Sequence, residues 1–204
     1  MTSPRPETPP PDAGVLVIAC GALAREIRAA LDASGLGHVA LTCLPALLHN
    51  RPERIPDAVR AAVRENRGRF RKIAVAYADC GTGGALDAVC AQEGVERIEG
   101  PHCYAFFSGT AAFLARGDAD MDAFFLTDFL ARQFETLVIE GLGLDRHPEL
   151  RDMYFAHYSR LIYLAQTDDP ALEAKARAAA NRLGLAFEMR RTGLGDLPAF
   201  LSRI

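Results

Sequence analysis

A three-layer α/β fold on a mostly parallel sheet is the architecture this chain predicts, on three observations. Residues 15–20, Val-Leu-Val-Ile-Ala-Cys, are an uninterrupted apolar run between Gly14 and Gly21, the pattern of a strand buried on both faces. Segments of helical period then alternate with further short apolar runs, and such alternation favours parallel strands joined by right-handed crossovers. Half of the 204 residues are apolar, enough for the full core of one domain.

Taken in order, residues 15–20 predict a central first strand. Leu23, Ile27 and Leu31 recur at helical spacing over residues 22–33, and Gly35 and Gly37 stop the pattern. Residues 38–44 predict a second strand. Residues 52–67 predict an amphipathic helix with Ile55, Val59 and Val63 on its apolar side, and residues 72–79 a third strand. The glycines at 81–84 open a helix reaching residue 92, and residues 95–98 are a brief fourth strand ending at Gly100-Pro101. Residues 106–115, 128–139 and 148–158 predict helices, the second behind an N-cap at Thr127 or Asp128 and the third with proline in its first turn. Together they form a helical insertion over about residues 106–158. Residues 161–165, 170–183 and 186–190 predict a strand, an Ala-rich helix and a strand that complete the same sheet, and residues 197–201 a closing helical turn. The expectation is a single Rossmann-like or flavodoxin-like domain over residues 14–204 behind a Pro-rich, disordered tail over residues 1–13.

Composition excludes several classes. A formal charge of −3 without a basic stripe argues against nucleic acid, since phosphate binding needs clustered Lys and Arg. No apolar run approaches the roughly 20 residues of a membrane span, and the polar start is unlike a signal peptide. The expected location is the cytoplasm, where the 5 cysteines serve metals, catalysis or packing rather than disulfides.

Three of those cysteines stand at strand ends beside glycine, histidine or an aromatic: Cys20 in Ala-Cys-Gly, Cys80 in Asp-Cys-Gly-Thr-Gly-Gly, and Cys103 in Pro-His-Cys-Tyr. With parallel strands all three reach the carboxyl edge of the sheet, where open α/β folds bind their ligands. Three thiolates can hold zinc with one open position, or three irons of a four-iron cluster. His102 is then a fourth ligand or an acid/base, and Asp79 an orienting or catalytic carboxylate. The site takes a small-molecule substrate in this reading. Cysteine is also a common core residue, and no Cys-x-x-Cys pair fixes two ligands locally. Cys43 and Cys90, without glycine punctuation, are assigned to packing. Two alternatives stand beside the metal site. Gly81, Thr82, Gly83 and Gly84 could cradle a phosphate or other small molecule on exposed backbone N–H groups, although the segment lacks the Lys-Ser/Thr of a Walker loop. Cys80 could be a nucleophile whose pKa a helix N-terminus lowers. The group Asp145, His147 and Glu149 reads as a charged helix start or, less simply, as a proton shuttle. His38, His49 and His157 have no partner that the sequence identifies.

The Ala-Cys after the first strand, Asp-Cys-Gly-Thr-Gly-Gly after the third, His-Cys-Tyr followed by Phe-Phe-Ser-Gly-Thr, Phe125 to Leu130, Gly143 to Leu150 and Tyr163 to Thr167 together resemble an uncharacterised bacterial and archaeal family known only by a domain-of-unknown-function label. The resemblance covers nearly everything after the tail. It implies that Cys20, Cys80 and Cys103 recur as a set. It also implies, through relatives encoded beside corrinoid-dependent methyltransferases, a link to one-carbon or methylated-compound metabolism with such a methyltransferase as partner. It supplies no reaction.

Overall fold

The structure, a computed structural model, describes residues 14–204, and the expected tail over residues 1–13 lies outside the described residues. All six residues of β1 (Val15–Cys20) are buried. That burial follows from the run of apolar side chains on both pleat faces, which a strand covered by helices on each side requires. α1 (Ala24–Ala33) follows with Ile27, Ala30 and Leu31 turned inward, then β2 (Ala40–Leu44), α2 (Ile55–Asn66), β3 (Lys72–Ala76), α3 (Ala85–Glu93) and β4 (Glu96–Arg97). These four strands are parallel, in the order β2-β1-β3-β4. From β1 the chain crosses the sheet one way to β2, and from β2 it crosses the other way to β3 and β4. Right-handed crossovers then place α1 on one face and α2 with α3 on the other, and α2 packs against α3. The reversal falls between β1 and β3. In such sheets the crevice outside the carboxyl ends at that point is where ligands bind.

α4 (Cys103–Ser108) leads out of this first unit, which comprises the residues up to Phe106 together with Asp196–Ile204. The second compact unit, Phe107–Gly195, carries its own sheet. It contains α5 (Thr110–Ala115), β5 (Ala123–Thr127), α6 (Asp128–Arg132), a π-helix at Glu135–Glu140, α7 (Leu150–Phe155), β6 (Arg160–Ala165), α8 (Pro170–Leu183) and β7 (Ala186–Arg191). Its strands run parallel in the order β5-β6-β7. α8 has the strongest local signals. Its Asp169 cap accepts from the Ala171 amide at 2.9 Å, Pro170 opens the first turn, and Gly184 ends it at φ +73°, the left-handed geometry that glycine adopts without penalty. The core gathers Leu126, Phe134, Phe155, Leu161, Ala176 and Leu183. At the carboxyl edge of this sheet the fully buried Asp128 carboxylate accepts from Tyr163 Oη at 2.7 Å, the Gln166 amide at 3.1 Å and Thr167 Oγ1 at 2.5 Å. The chain ends in α9 (Leu197–Leu201), which returns to the first unit and packs on α1.

The α/β class with parallel, Rossmann-like sheets is as expected, but the one sheet expected is two. β5 lies inside the expected helical insertion; Ala-Phe-Phe-Leu-Thr is too short to show a period, and its pairing with β6 makes it a strand. Thr127 is the cap of α6, its hydroxyl accepting from the Leu130 amide. Tyr163 buries its hydroxyl on Asp128. Among the described residues no helix is long and apolar enough to cross a membrane.

Candidate functional site

β1 ends on Cys20, and its thiolate side is prepared locally: the Ala22 amide donates to Cys20 Sγ across 3.3 Å as the chain turns into a short 3₁₀ helix at Gly21–Leu23. The Asp79 and Cys80 amides beyond β3 donate to the carbonyls of Gly100 and Pro101 beyond β4, at 3.0 and 2.7 Å. Those two bonds tie the loop of Cys80 to the loop of Cys103, which begins α4. The three thiols share one electrostatic neighbourhood. Burial pushes Cys80 up to about 12, with Cys20 adding to the shift and the Cys103 backbone amide opposing it. Burial raises Cys103 strongly, and both Cys80 and Cys20 raise it further. Cys20 is likewise raised by burial, against the Ala22 amide. Each sulfur therefore resists ionising, chiefly because it is desolvated, and for Cys80 and Cys103 also because another thiolate is near.

Two residues not singled out in the sequence face the same place. Tyr77, one residue past β3, is fully buried, and its hydroxyl has no hydrogen-bond partner although it lies beside Cys20 and within electrostatic reach of Cys80 and Cys103. An orphaned buried hydroxyl costs roughly 1–3 kcal/mol. His49 sits on the 3₁₀ turn Ala46–Asn50 that follows β2, its ring stacked on Tyr77 at 5.8 Å between centroids and 17° between planes. Its Nδ1 is 3.0 Å from the Ala46 carbonyl oxygen and 3.8 Å from Cys20 Sγ. Packing against its neighbours desolvates the ring and holds its pKa below the usual value, which favours neutral imidazole. Applying the strand-end argument to β2 as well as to β1, β3 and β4 finds His49; a tyrosine in the aliphatic run that leads to Cys80 is the signal for Tyr77.

The Gly81-to-Gly84 turn has a different role from the anion cradle considered above. The Asp79 carboxylate accepts from Thr82 Oγ1 at 2.5 Å, the Gly83 amide at 3.1 Å and the Gly84 amide at 2.9 Å. The amides of Gly83 and Gly84 are thus already met by a carboxylate, whose own pKa lies below the ordinary carboxylate range, and an incoming phosphate meets repulsion there. Asp79 holds the turn that follows Cys80. The Cys80 nucleophile is likewise disfavoured, because a thiol raised to about 12 carries almost no thiolate at neutral pH. His102 precedes Cys103 with its ring 5.2 Å from that of Tyr104, and burial lowers its pKa. His147 pairs with Glu149 at 3.2 Å on an exposed turn just before α7; it belongs to the second unit, and the three thiols to the first. Cys43 lies beside Ala19 in the β1–β2 register, so it shares Ala19's face of the sheet rather than that of Cys20; Cys90 is buried in α3.

Cys80 has φ +50° and, among the described residues, is the one non-glycine with positive φ. A left-handed conformation costs an L-residue roughly 1–2 kcal/mol, and strain of this kind is characteristic of functional positions. Cys80→Gly is expected to leave the reduced, metal-free protein about 1 kcal/mol more stable than Cys80→Ala, since only glycine sheds the strain. Urea denaturation of the two variants checks this, and an alanine variant as stable as the glycine one refutes it.

Among the described residues, no group of three or more His, Cys, Asp and Glu side chains is disposed as placed to hold a metal ion. Residues 43–201 match the family model described as "Protein of unknown function (DUF1638)", a span that includes Cys80 and Cys103 and begins after Cys20. No curated protein and no solved structure matches the chain.

Proposed function

The chain belongs to this family of unknown function, and from that premise we propose that its working centre is a soft metal site, zinc or an iron–sulfur cluster, held by Cys20, Cys80 and Cys103. The observation that carries the reading is a run of three desolvated thiols at the end of β1 and on the loops that follow β3 and β4, with Cys20 opposing the ionisation of Cys80 and of Cys103, and Cys80 that of Cys103. The thiols repel one another only once they ionise, as metal binding requires. A cation reverses the sign of that interaction: it neutralises all three thiolates at once and displaces their protons. The strained backbone of Cys80 and the orphaned Tyr77 hydroxyl support the same reading, since a thiolate is the hydrogen-bond acceptor that Tyr77 lacks.

Anaerobic purification with metal analysis and a visible spectrum tests the proposal. One zinc per chain, or brown absorbance with matching iron and sulfide, is the expected result. Because the thiols must lose protons to bind, the apparent affinity rises with pH through the neutral range. A colourless protein that takes up neither metal and keeps three freely alkylatable thiols overturns the reading.

A further inference from the structure

We propose that the segment between β2 and α2 forms a second binding site, a cleft that takes a small molecule with a carboxylate or phosphate at one end and a short apolar body. The site needs no metal and is independent of the three-thiolate reading.

Pro45 follows β2, and the chain then turns tightly. The Leu48 amide donates to the Pro45 carbonyl at 3.1 Å, the Arg51 amide to that of Leu48 at 2.9 Å and the Arg54 amide to that of Arg51 at 2.9 Å. Two 3₁₀ helices, Ala46–Asn50 and Pro52–Arg54, result. Residues three apart eclipse in this geometry, which aligns Leu47 with Asn50. Arg51 interrupts the run with an extended backbone at φ −144°. Around this break Pro45, Leu47, Leu48, Asn50, Arg51 and Arg54 line a cavity of about 320 Å³. An apolar wall with a few polar groups, at the small end of the size range, is the make-up of a small-molecule pocket.

The two guanidiniums decide what kind of molecule. Arginines elsewhere in the chain are mostly paired: Arg64 and Arg67 hold Glu93, and Arg160 and Arg190 hold Asp120. Among the described residues the side chains of Arg51 and Arg54 have no hydrogen bond or ion pair, a state they share with Arg25 and Arg71. No carboxylate lines their cavity. Glu53 of the same turn is not part of the lining, and Asp57 is held by Arg60 at 2.8 Å. Two unneutralised forks on one cavity attract an anion and match the oxygens of a carboxylate or phosphate. Leu47, 62% exposed, supplies the apolar surface that the body of the ligand covers. The cleft also lies where parallel sheets receive their ligands, beyond the carboxyl end of a strand. Two contacts join it to the loops of the first unit: His49 of the same turn stacks on Tyr77, and Pro52 lies against Gly81, where an added β-carbon would stand 3.5 Å from Pro52 Cβ.

Isothermal titration of the reduced full chain with hexanoate and with hexyl phosphate tests the proposal, with hexanol and hexylamine as controls. At least one of the anions is expected to bind at one site per chain, and the tighter of the two identifies the head group; the alcohol and the amine should not bind. Arg51→Ala and Arg54→Ala should each weaken binding about 10-fold, the scale of a lost hydrogen bond to a charged group. Arg25→Ala and Arg71→Ala remove equally unpaired guanidiniums outside the cleft and should leave binding unchanged. All four side chains are exposed, so the variants keep the fold, which their melting temperatures check. No binding of either anion at millimolar concentration, equal binding of hexanol, or an equal loss in Arg25→Ala overturns the proposal. Metal content measured on the same preparations should not differ between Arg51→Ala and the wild type, so the cleft and the thiol site stand or fall separately.

Discussion

On the proposed metal site, Cys20→Ser, Cys80→Ser and Cys103→Ser are each expected to lose most of the metal, and the triple variant to be little worse than any one of them. Ligands of one ion act as a unit, so the first loss carries most of the cost and the later ones add little. Metal content per chain and the dissociation constant measure it. Cys43→Ser and Cys90→Ser are the controls, expected to keep full metal content and to lose about 1–2 kcal/mol of stability through packing. Cys43 is the sharper of the two: it lies close enough to Cys20 to be raised by it, up to about 11 with burial as the larger cause, yet its register with Ala19 turns it to the other face. Metal loss from a control equal to that of the three cysteines would show that the wrong thiols have been assigned. Additive losses across the three would show separate sites.

Asp128→Ala is the substitution expected to cost most in stability, about 3–5 kcal/mol, the scale for removing one partner of a buried charged cluster. Its carboxylate is fully buried and accepts from Tyr163, Gln166 and Thr167, with the Arg132 guanidinium 3.7 Å away. Alanine fills none of those roles. It leaves three donors unmet at the carboxyl edge of the second sheet and a half-buried arginine without its counter-charge. Urea denaturation followed by circular dichroism reads the loss, and metal binding by the first unit should survive at low denaturant. A loss below about 1 kcal/mol would mean that water satisfies these donors and that the network adds little.

How much of this was legible in the sequence depended on the range of the signal. β1 and α8 announce themselves within their own residues, by an unbroken apolar run in one case and by Asp169, Pro170 and Gly184 in the other. Residues 123–127 carry no such announcement, and their strand exists because β6 lies alongside. The division into two sheets was hidden for the same reason, since which strands pair is settled by contacts between distant residues. Within the candidate site, the edge argument located the three cysteines, but it was applied to three strands out of four and so passed over His49. The glycines after Cys80 suggested exposed amides, and only the folded turn reveals that Asp79 has claimed two of them. Strain at Cys80 is a matter of backbone torsion that no residue type declares.

Gly21 gives this edge a gauge. A β-carbon added there would stand 2.9 Å from the Leu44 carbonyl oxygen, closer than real β-carbons come to backbone, so any other residue acts as a wedge between the chain leaving β1 and the chain leaving β2. Cys20 immediately precedes that contact, and the turn that bears His49 begins just beyond it. The spacing of sulfur and imidazole is therefore calibrated by an empty volume, and the two arms of the site can be levered apart by a single methyl group on a residue that is not itself a ligand.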